Sequence, residues 1–331
     1  MNSRKIIILA MSCNQEFFQK EEQVIKTAGY ASNVLSGSYD NVDFWTYTAS
    51  TDGKYHINKN RHRLEVPSGD GLFDTFEKTQ KAFRLLIEAK FRFDYILRTN
   101  LSTHITVWLL QKFINGIPES EKDTIFSSRV YCDRYATGPE EFSFYAVGNS
   151  MILPRSKVEL IAYSDIDEIK KFNKVPLDEK ETIYHIDDNM IGLLVNQNAI
   201  ENGKDPHFEW KQFLSFGVLT PQTLNYKNIS SHITVPFRAY DVEDREKLEF
   251  WLAEKLNKLT VIPPNVNYIT PEHVYNLNTR YDLITLTDFI NRKCIELKRE
   301  YLDYLLNNRE NFSNDLEKFI NFAKQRFSNK V

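Results

Sequence analysis

Two adjacent carboxylates, Asp187 and Asp188, stand directly before an apolar run that begins at Met190. A carboxylate beside a second one can have a raised pKa, because like charges disfavour joint ionisation. Such a group can take a proton from a hydroxyl, which is general-base chemistry. The alternative is that both acids only occupy the first turn of a helix, where negative charge is favourable. These residues by themselves favour the helix terminus.

A second group with chemical potential is the turn Arg98-Thr99-Asn100, which follows an apolar strand predicted over residues 94–97. Ligands bind at the carboxyl ends of strands in α/β sheets. A guanidinium at this position can neutralise a phosphate electrostatically. The alternative is an ion pair between Arg98 and Asp94 or another local acid.

His232 is a third candidate, in a segment predicted to be a strand over residues 229–236. A lone histidine does not make a site for Mg²⁺ or Mn²⁺, because these hard cations prefer carboxylate ligands. His232 can instead donate a hydrogen bond to a phosphate, or it can be a strand histidine without a ligand.

These groups need strands and helices to position them. Residues 6–11 form a continuous apolar run, which is typical of a parallel strand covered on both faces. The other predicted strands span residues 42–47, 64–66, 129–132 and 142–147. The predicted helices span residues 16–28, 74–90, 103–114, 154–163 and 241–256. Residues 51–60 are predicted to be a loop. This order predicts an α/β core with parallel strands.

The Pro-rich stretch 263–267 is the best candidate for a linker. Helical spacing follows over residues 283–306 and 314–327. We therefore predict a core domain over residues 1–260 and a helical extension over residues 265–331. The extension is expected either to pack on the core as a lid or to form a homodimer.

The composition excludes several classes of protein. The net charge of -3 and the lack of a basic stripe disfavour a nucleic-acid partner. Cys13, Cys132 and Cys294 are widely spaced and odd in number, which argues against a disulfide framework or a zinc cluster. The sequence contains no run of about 18 apolar residues, so no transmembrane helix is predicted. We expect a cytoplasmic protein.

Four blocks of sequence carry these groups in a fixed order: residues 7–12 with 21–27, residues 70–79, residues 93–102, and residues 148–155 with 187–192. Asp70, Lys78 and Thr79 match an Asp-Ser-Tyr-x-Asn-Leu-x-x-Lys-Thr pattern. The acids at 187 and 188, with Gly192, match an acidic-Asp-x-x-x-Gly pattern. Together the blocks resemble the fringe-like β-1,3-glycosyltransferases and their bacterial and viral relatives, a group with the GT-A fold.

The chain departs from that family at two places. Arg98-Thr99-Asn100 stands where the family has Asp-x-Asp, which holds a divalent metal against the donor diphosphate. Lys26 stands where the family has an arginine, and the tryptophan that follows there is missing.

The resemblance implies a GT-A-like mixed, mainly parallel sheet flanked by helices. It also implies the inverting transfer of a hexose or N-acetylhexosamine from a nucleotide sugar, with UDP as the expected carrier, to a glycan hydroxyl. Asp188 would be the general base, with Asp187 beside it. The residues expected to bind the donor are Ser12, Lys26, Asp70, Lys78, Arg98, Asn100, His232 and Arg238. Those expected to bind the acceptor or sugar are Tyr145, Gly148 and Asn149.

No cofactor and no metal ligand set is expected, and cationic side chains would neutralise the diphosphate. Two alternatives stay open. One is a metal-dependent transferase, with Mn²⁺ or Mg²⁺ held by Asp187, Asp188 and His232. The other is a non-catalytic member of the same fold that binds a sugar or a protein partner. Among the supporting residues, acids such as Asp70 are common in turns, and aromatic side chains such as Tyr145 are often core residues.

Overall fold

The computed structural model of the chain describes residues 3–71, 74–128, 130–133, 143–146, 150–165, 187–204, 206–213, 234–236 and 268–269. The strands in these ranges are β1 Ile6–Met11, β2 Val42–Ala49, β3 His56–Asn58, β4 Arg63–Val66, β5 Tyr95–Asn100, β6 Thr103–Ile105, β7 Ile125–Ser127, β8 Val130–Asp133, β9 Ser143–Ala146, β10 Ser150–Pro154, β11 Trp210–Phe213, β12 Thr234–Pro236 and β13 Tyr268–Ile269. The α-helices are α1 Glu16–Thr27, α2 Tyr30–Leu35, α3 Thr75–Glu88, α4 Val107–Gly116, α5 Arg155–Tyr163 and α6 Asp187–Glu201.

One large sheet organises the described residues, with the strand order β13-β11-β7-β10-β5-β1-β2-β4-β3. Its centre is parallel, because β1 pairs in parallel with both β2 and β5, and β2 pairs in parallel with β4. β10 runs antiparallel to β5 and β7, and β11 then runs parallel to β7. The edge strands β3 and β13 are antiparallel to their neighbours. This mixed, mainly parallel sheet confirms the predicted α/β class and is consistent with a GT-A-like arrangement.

Helices cover both faces of this sheet and explain its apolar central strand. Ile7 and Leu9 of β1 pack in one core cluster with side chains of α3, α5 and α6. Ile6, Ile8 and Ala10 pack in a second cluster with α1, α2 and α4. Successive side chains of a strand point to opposite faces, so a strand buried on both faces must be apolar at every position.

Most predicted elements in the described ranges exist, and their bounds differ by a few residues. The helix predicted over residues 74–90 forms as α3, and its apolar side chains Phe76, Ala82, Phe83 and Leu86 are buried. The predicted loop over residues 51–60 was wrong in part, because β3 forms there as the antiparallel partner of β4. The helix predicted from residue 103 was wrong at its start, because β6 precedes α4 and pairs with β12.

The sequence prediction also missed α2, β7, β10, β11 and β13, which are short. The predicted helices over 241–256, 283–306 and 314–327 and the linker over 263–267 lie outside the described residues. β13 is the described part of the chain after that linker, and it pairs with β11. Across the described ranges, no helix combines the length and hydropathy that a membrane crossing needs.

Candidate functional site

The carboxyl ends of β1 and β5 lie side by side and form the edge where the predicted site residues collect. The register pairs Met11 with Asn100, the last residues of the two strands. Ser12 therefore follows β1 next to the end of β5. The first turns of α3 and α6 lie on the same side of the sheet, because Asp187 contacts side chains of both α3 and β5.

Arg98 forms a buried ion pair with Asp187, so two of the predicted site residues bind each other. Arg98 Nη2 contacts Asp187 Oδ2, and the two side chains are only 2% and 5% exposed. Arg98 therefore does form an ion pair, but with Asp187 and not with Asp94 or another acid nearby in the sequence. Asp94 instead accepts a hydrogen bond of 2.7 Å from the backbone nitrogen of Lys5.

A hydrogen-bond network extends from this ion pair to α3 and β2. Thr79 Oγ1 donates to Asp187 Oδ2 at 3.3 Å and lies 2.9 Å from Tyr47 Oη. The backbone nitrogen of Asp187 donates to Thr75 Oγ1 at 3.3 Å. Asp187 is therefore fixed through both its side chain and its backbone.

The electrostatics of the network keep Arg98 and Tyr47 in their ordinary protonation states at neutral pH. Burial opposes the charge of Arg98, but Asp187, Tyr47 and Asp188 together outweigh burial and raise the pKa of the guanidinium. Burial, assisted by the charge of Asp187, raises the pKa of Tyr47 to about 12. Arg98 is therefore a cation and Tyr47 is a neutral hydroxyl.

Asp188 is the next residue of α6 and is more exposed than Asp187. Its carboxylate contributes to the raised pKa of Arg98, which places the two charges within electrostatic reach. Asp187 is thus paired with a buried arginine, and Asp188 is the acid of the two that is more accessible to solvent.

A second ion pair, between Lys78 and Asp70, lies at the end of β1. Lys78 Nζ is 2.7 Å from Asp70 Oδ1 and also donates to the carbonyl of Ser12 at 3.2 Å. Asp70 Oδ2 accepts a hydrogen bond of 2.5 Å from the backbone nitrogen of Asn14. The second sequence block and the end of β1 are therefore in direct contact.

A third charged cluster, centred on Glu22, lies on the face of the sheet that α1 covers. Glu22 accepts hydrogen bonds from Ser12 Oγ at 2.8 Å and Thr46 Oγ1 at 2.9 Å. It also pairs with Lys26 at 2.5 Å and with Arg63 at 3.0 Å. Ser12 thus joins two clusters: its hydroxyl donates to Glu22, and its carbonyl accepts from Lys78.

Burial and charge act against each other in the Glu22 cluster. Burial alone raises the pKa of Glu22, but the charges of Lys26 and Arg63 outweigh it, so its pKa is lowered. Burial lowers the pKa of Lys26 despite the adjacent Glu22. The sequence prediction missed Glu22, although its spacing of four residues from Lys26 on a helix is a signal for an ion pair.

The remaining predicted site residues do not share a described ion pair with these clusters, or they lie outside the described residues. Asn100 is half-buried at the strand end, and Tyr145 is half-buried in β9, which packs against α6. Gly148, Asn149, His232 and Arg238 lie outside the described residues. Trp45 packs in the core, with its ring 5.1 Å from that of Phe91.

The described residues at this edge do not fit a divalent cation. Arg98 occupies the strand position where the resembled family has metal-binding carboxylates, and it also engages the Asp187 carboxylate. Within the part of the chain that the structure describes, no group of three or more His, Cys, Asp or Glu side chains is arranged to hold a metal ion.

Comparison with known proteins gives a distant structural likeness. No protein-family model and no curated protein matches this sequence. A solved structure described as a glycosyltransferase involved in the glycosylation of the major capsid of PBCV-1 is similar to this chain, with a TM-score of 0.35 and 11% identity. The similarity covers 74% of this chain and 98% of that one. A likeness at this level carries no argument about activity.

Proposed function

We propose that the chain is an inverting glycosyltransferase that moves a hexose or N-acetylhexosamine from a nucleotide sugar, with UDP as the carrier, to a glycan hydroxyl. The convergence of residues 12, 70, 78, 98, 100, 187 and 188 at one edge of the sheet supports this proposal most strongly. These residues come from separate blocks of sequence, and the carboxyl edge of parallel strands is where nucleotide ligands bind in α/β folds.

Asp188 is the proposed general base, since it is the accessible member of the acidic pair. It takes the proton of the acceptor hydroxyl as that oxygen bonds to the anomeric carbon of the donor. The bond from this carbon to the diphosphate breaks, and its electron pair leaves with the diphosphate. Attack opposite the leaving group inverts the configuration, and positioning of the two reactants supplies much of the rate.

The charge of the leaving diphosphate needs a cation. In the described residues Lys26, Lys78 and Arg98 are each paired with a carboxylate, namely Glu22, Asp70 and Asp187 respectively. We therefore assign the neutralising charge first to His232 and Arg238. Asn100, Ser12 and the Lys78 pair are assigned to the border of the donor site. The same proposal includes four further points. The chain is related to the fringe-like β-1,3-glycosyltransferases, it works without a metal, it is cytoplasmic, and it forms a homodimer through the C-terminal extension.

The decisive experiment measures donor binding and donor turnover on one set of variants. Binding is read as the rise in melting temperature with UDP, GDP, CMP and their sugars, because a ligand of the folded state stabilises it. Turnover is read as release of the nucleoside diphosphate, with water replacing the acceptor. The variants are Asp188→Asn and, as a control from the same helical turn, Asn189→Ala.

We expect the wild type and Asn189→Ala to bind and hydrolyse one nucleotide sugar. We expect Asp188→Asn to bind it equally well and to lose about 10²- to 10⁴-fold in turnover. Binding without turnover in the wild type supports the non-catalytic alternative. An absence of both with every donor contradicts the proposal.

A further inference from the structure

Asp187 makes several polar contacts that hold the first turn of α6 in place. The side chain of Asp187 binds Arg98 and Thr79, and its backbone nitrogen binds Thr75. Thr75 and Thr79 belong to α3. Arg98 belongs to β5, so its ion pair with Asp187 links the first turn of α6 to the sheet.

β5 is a rigid base for such a link. It is paired along its length with β1 on one side and with β10 on the other. Arg98 stands opposite Leu9 of β1 and Met151 of β10, both of which are fully buried. The backbone of Arg98 is therefore held in place, and its ion pair with Asp187 fixes the first turn of α6 relative to β5.

The burial of Arg98 argues against direct contact with a ligand. Its side chain is 2% exposed, and its charge is compensated by Asp187. A diphosphate that took the place of Asp187 on the guanidinium would have to break this buried ion pair. Breaking a buried ion pair is strongly unfavourable, because it leaves a buried charge without its partner.

We propose that Arg98 is a positioning residue. It anchors Asp187, and so holds Asp188 at the carboxyl end of β5, without touching the donor. This inference rests on the proposed function, in which Asp188 is the base. It assigns to the arginine a mechanical role at the strand position where the resembled family binds a metal.

The test compares Arg98→Met, Arg98→Lys and the double variant Arg98→Met/Asp187→Leu in the full chain. Arg98→Met removes the anchor, and Arg98→Lys keeps a charge that can still pair with Asp187. The double variant removes both charges and protects against the loss of folding that a lone buried carboxylate causes. Lys157→Met is the control, because Lys157 forms a buried ion pair with Glu209, and neither residue is a partner of Arg98 or Asp187.

For Arg98→Met and the double variant we expect kcat to fall about 10²-fold, as for a misplaced catalytic group. The KM and the binding constant of the donor should change less than about threefold, which on the affinity scale is a small effect. Arg98→Lys should recover part of kcat, and Lys157→Met should keep it. A weakened donor affinity with an unchanged kcat overturns the proposal and makes Arg98 a donor ligand.

Hydrogen exchange gives a readout that does not depend on activity. The amides of residues 191–194 donate to the carbonyls of the first turn of α6 and so report its opening. They should exchange about tenfold faster or more in Arg98→Met, because local opening becomes easier, and the amides of β5 should not. Lys157→Met should leave that turn unchanged. Equal exchange in Arg98→Met and wild type overturns the anchoring role. If the wild type turns over no donor, the proposed function fails, and hydrogen exchange still decides the anchor.

Discussion

Lys78 Nζ lies 2.7 Å from Asp70 Oδ1, and the lysine side chain is only 2% exposed. A buried ammonium that loses its partner carries an uncompensated desolvation cost. We predict that Asp70→Asn lowers the free energy of unfolding by about 3 kcal/mol, measured by urea denaturation at pH 7. The exposed pair of Glu77 and Lys81 provides a control, and Glu77→Gln should cost at most about 0.5 kcal/mol.

The double variant Asp70→Asn/Lys78→Met tests whether the cost comes from the unpaired lysine. It should be more stable than Asp70→Asn, because the charge that lacked a partner is gone. The cycle also needs the single variant Lys78→Met. If the stability losses of Asp70→Asn and Lys78→Met add up to the loss of the double variant, the two residues act independently, contrary to the observed ion pair.

Glu22 should make the stability of the protein sensitive to acid. Its folded-state pKa is lowered, on balance, by Lys26 and Arg63. A lowered carboxyl pKa stabilises the fold above the unfolded value of about 4.3, and this contribution is lost as the pH falls through the folded value. Glu22→Gln should therefore be less stable than wild type at pH 7 and should lose less stability between about pH 5 and pH 2.

Stability curves from urea denaturation at several pH values check this prediction. Glu88→Gln is the matched control, because Glu88 is an exposed carboxylate at the end of α3. It should follow the wild-type pH dependence. If Glu22→Gln keeps the full acid sensitivity of the wild type, the stabilising charge lies elsewhere.

The sequence predicts the elements whose signal is local and long enough to repeat. The stripe at Phe76, Phe83 and Leu86 predicts α3 because three helical turns repeat it. β3 and β6 are three residues long and form through pairing with β4 and β12, which no local pattern encodes. Tertiary context decides such short elements.

The same limit applies to the site. Strand ends and motif order indicate that Arg98 and the acidic pair approach one another. They do not indicate that Arg98 pairs with Asp187, because the two residues are 89 positions apart in the sequence. Their contact depends on how α6 packs on the sheet. Glu22 was missed for a related reason, since its partner Ser12 follows β1 and its partner Arg63 belongs to β4.

A chelator should leave donor turnover unchanged. The strand end carries Arg98 in place of carboxylates, and the Asp187 carboxylate is already bound by that arginine. We predict equal rates of diphosphate release with excess EDTA and with added Mn²⁺, measured on the same preparation. Loss of activity with EDTA that Mn²⁺ restores contradicts this prediction and favours the alternative in which Asp187, Asp188 and His232 bind a metal.

The second half of α6 has its own anchor, which separates stability from catalysis. Trp210 is fully buried in β11, and its Nε1 donates to Asn196 Oδ1 at 2.9 Å. Asn196→Ala leaves this N–H buried without its acceptor, which should cost about 1–3 kcal/mol in urea denaturation. Because Arg98 still holds the first turn of the helix, kcat should stay close to that of the wild type under conditions where the variant is folded.

Trp210→Phe and the double variant Asn196→Ala/Trp210→Phe complete this cycle. The double variant should cost less than the sum of the two single changes, because it removes the donor and the acceptor of the same hydrogen bond. A fall in kcat for Asn196→Ala comparable to that of Arg98→Met would mean that α6 moves as one rigid unit. In that case both ends of the helix, and not the Arg98 contact specifically, set the position of Asp188.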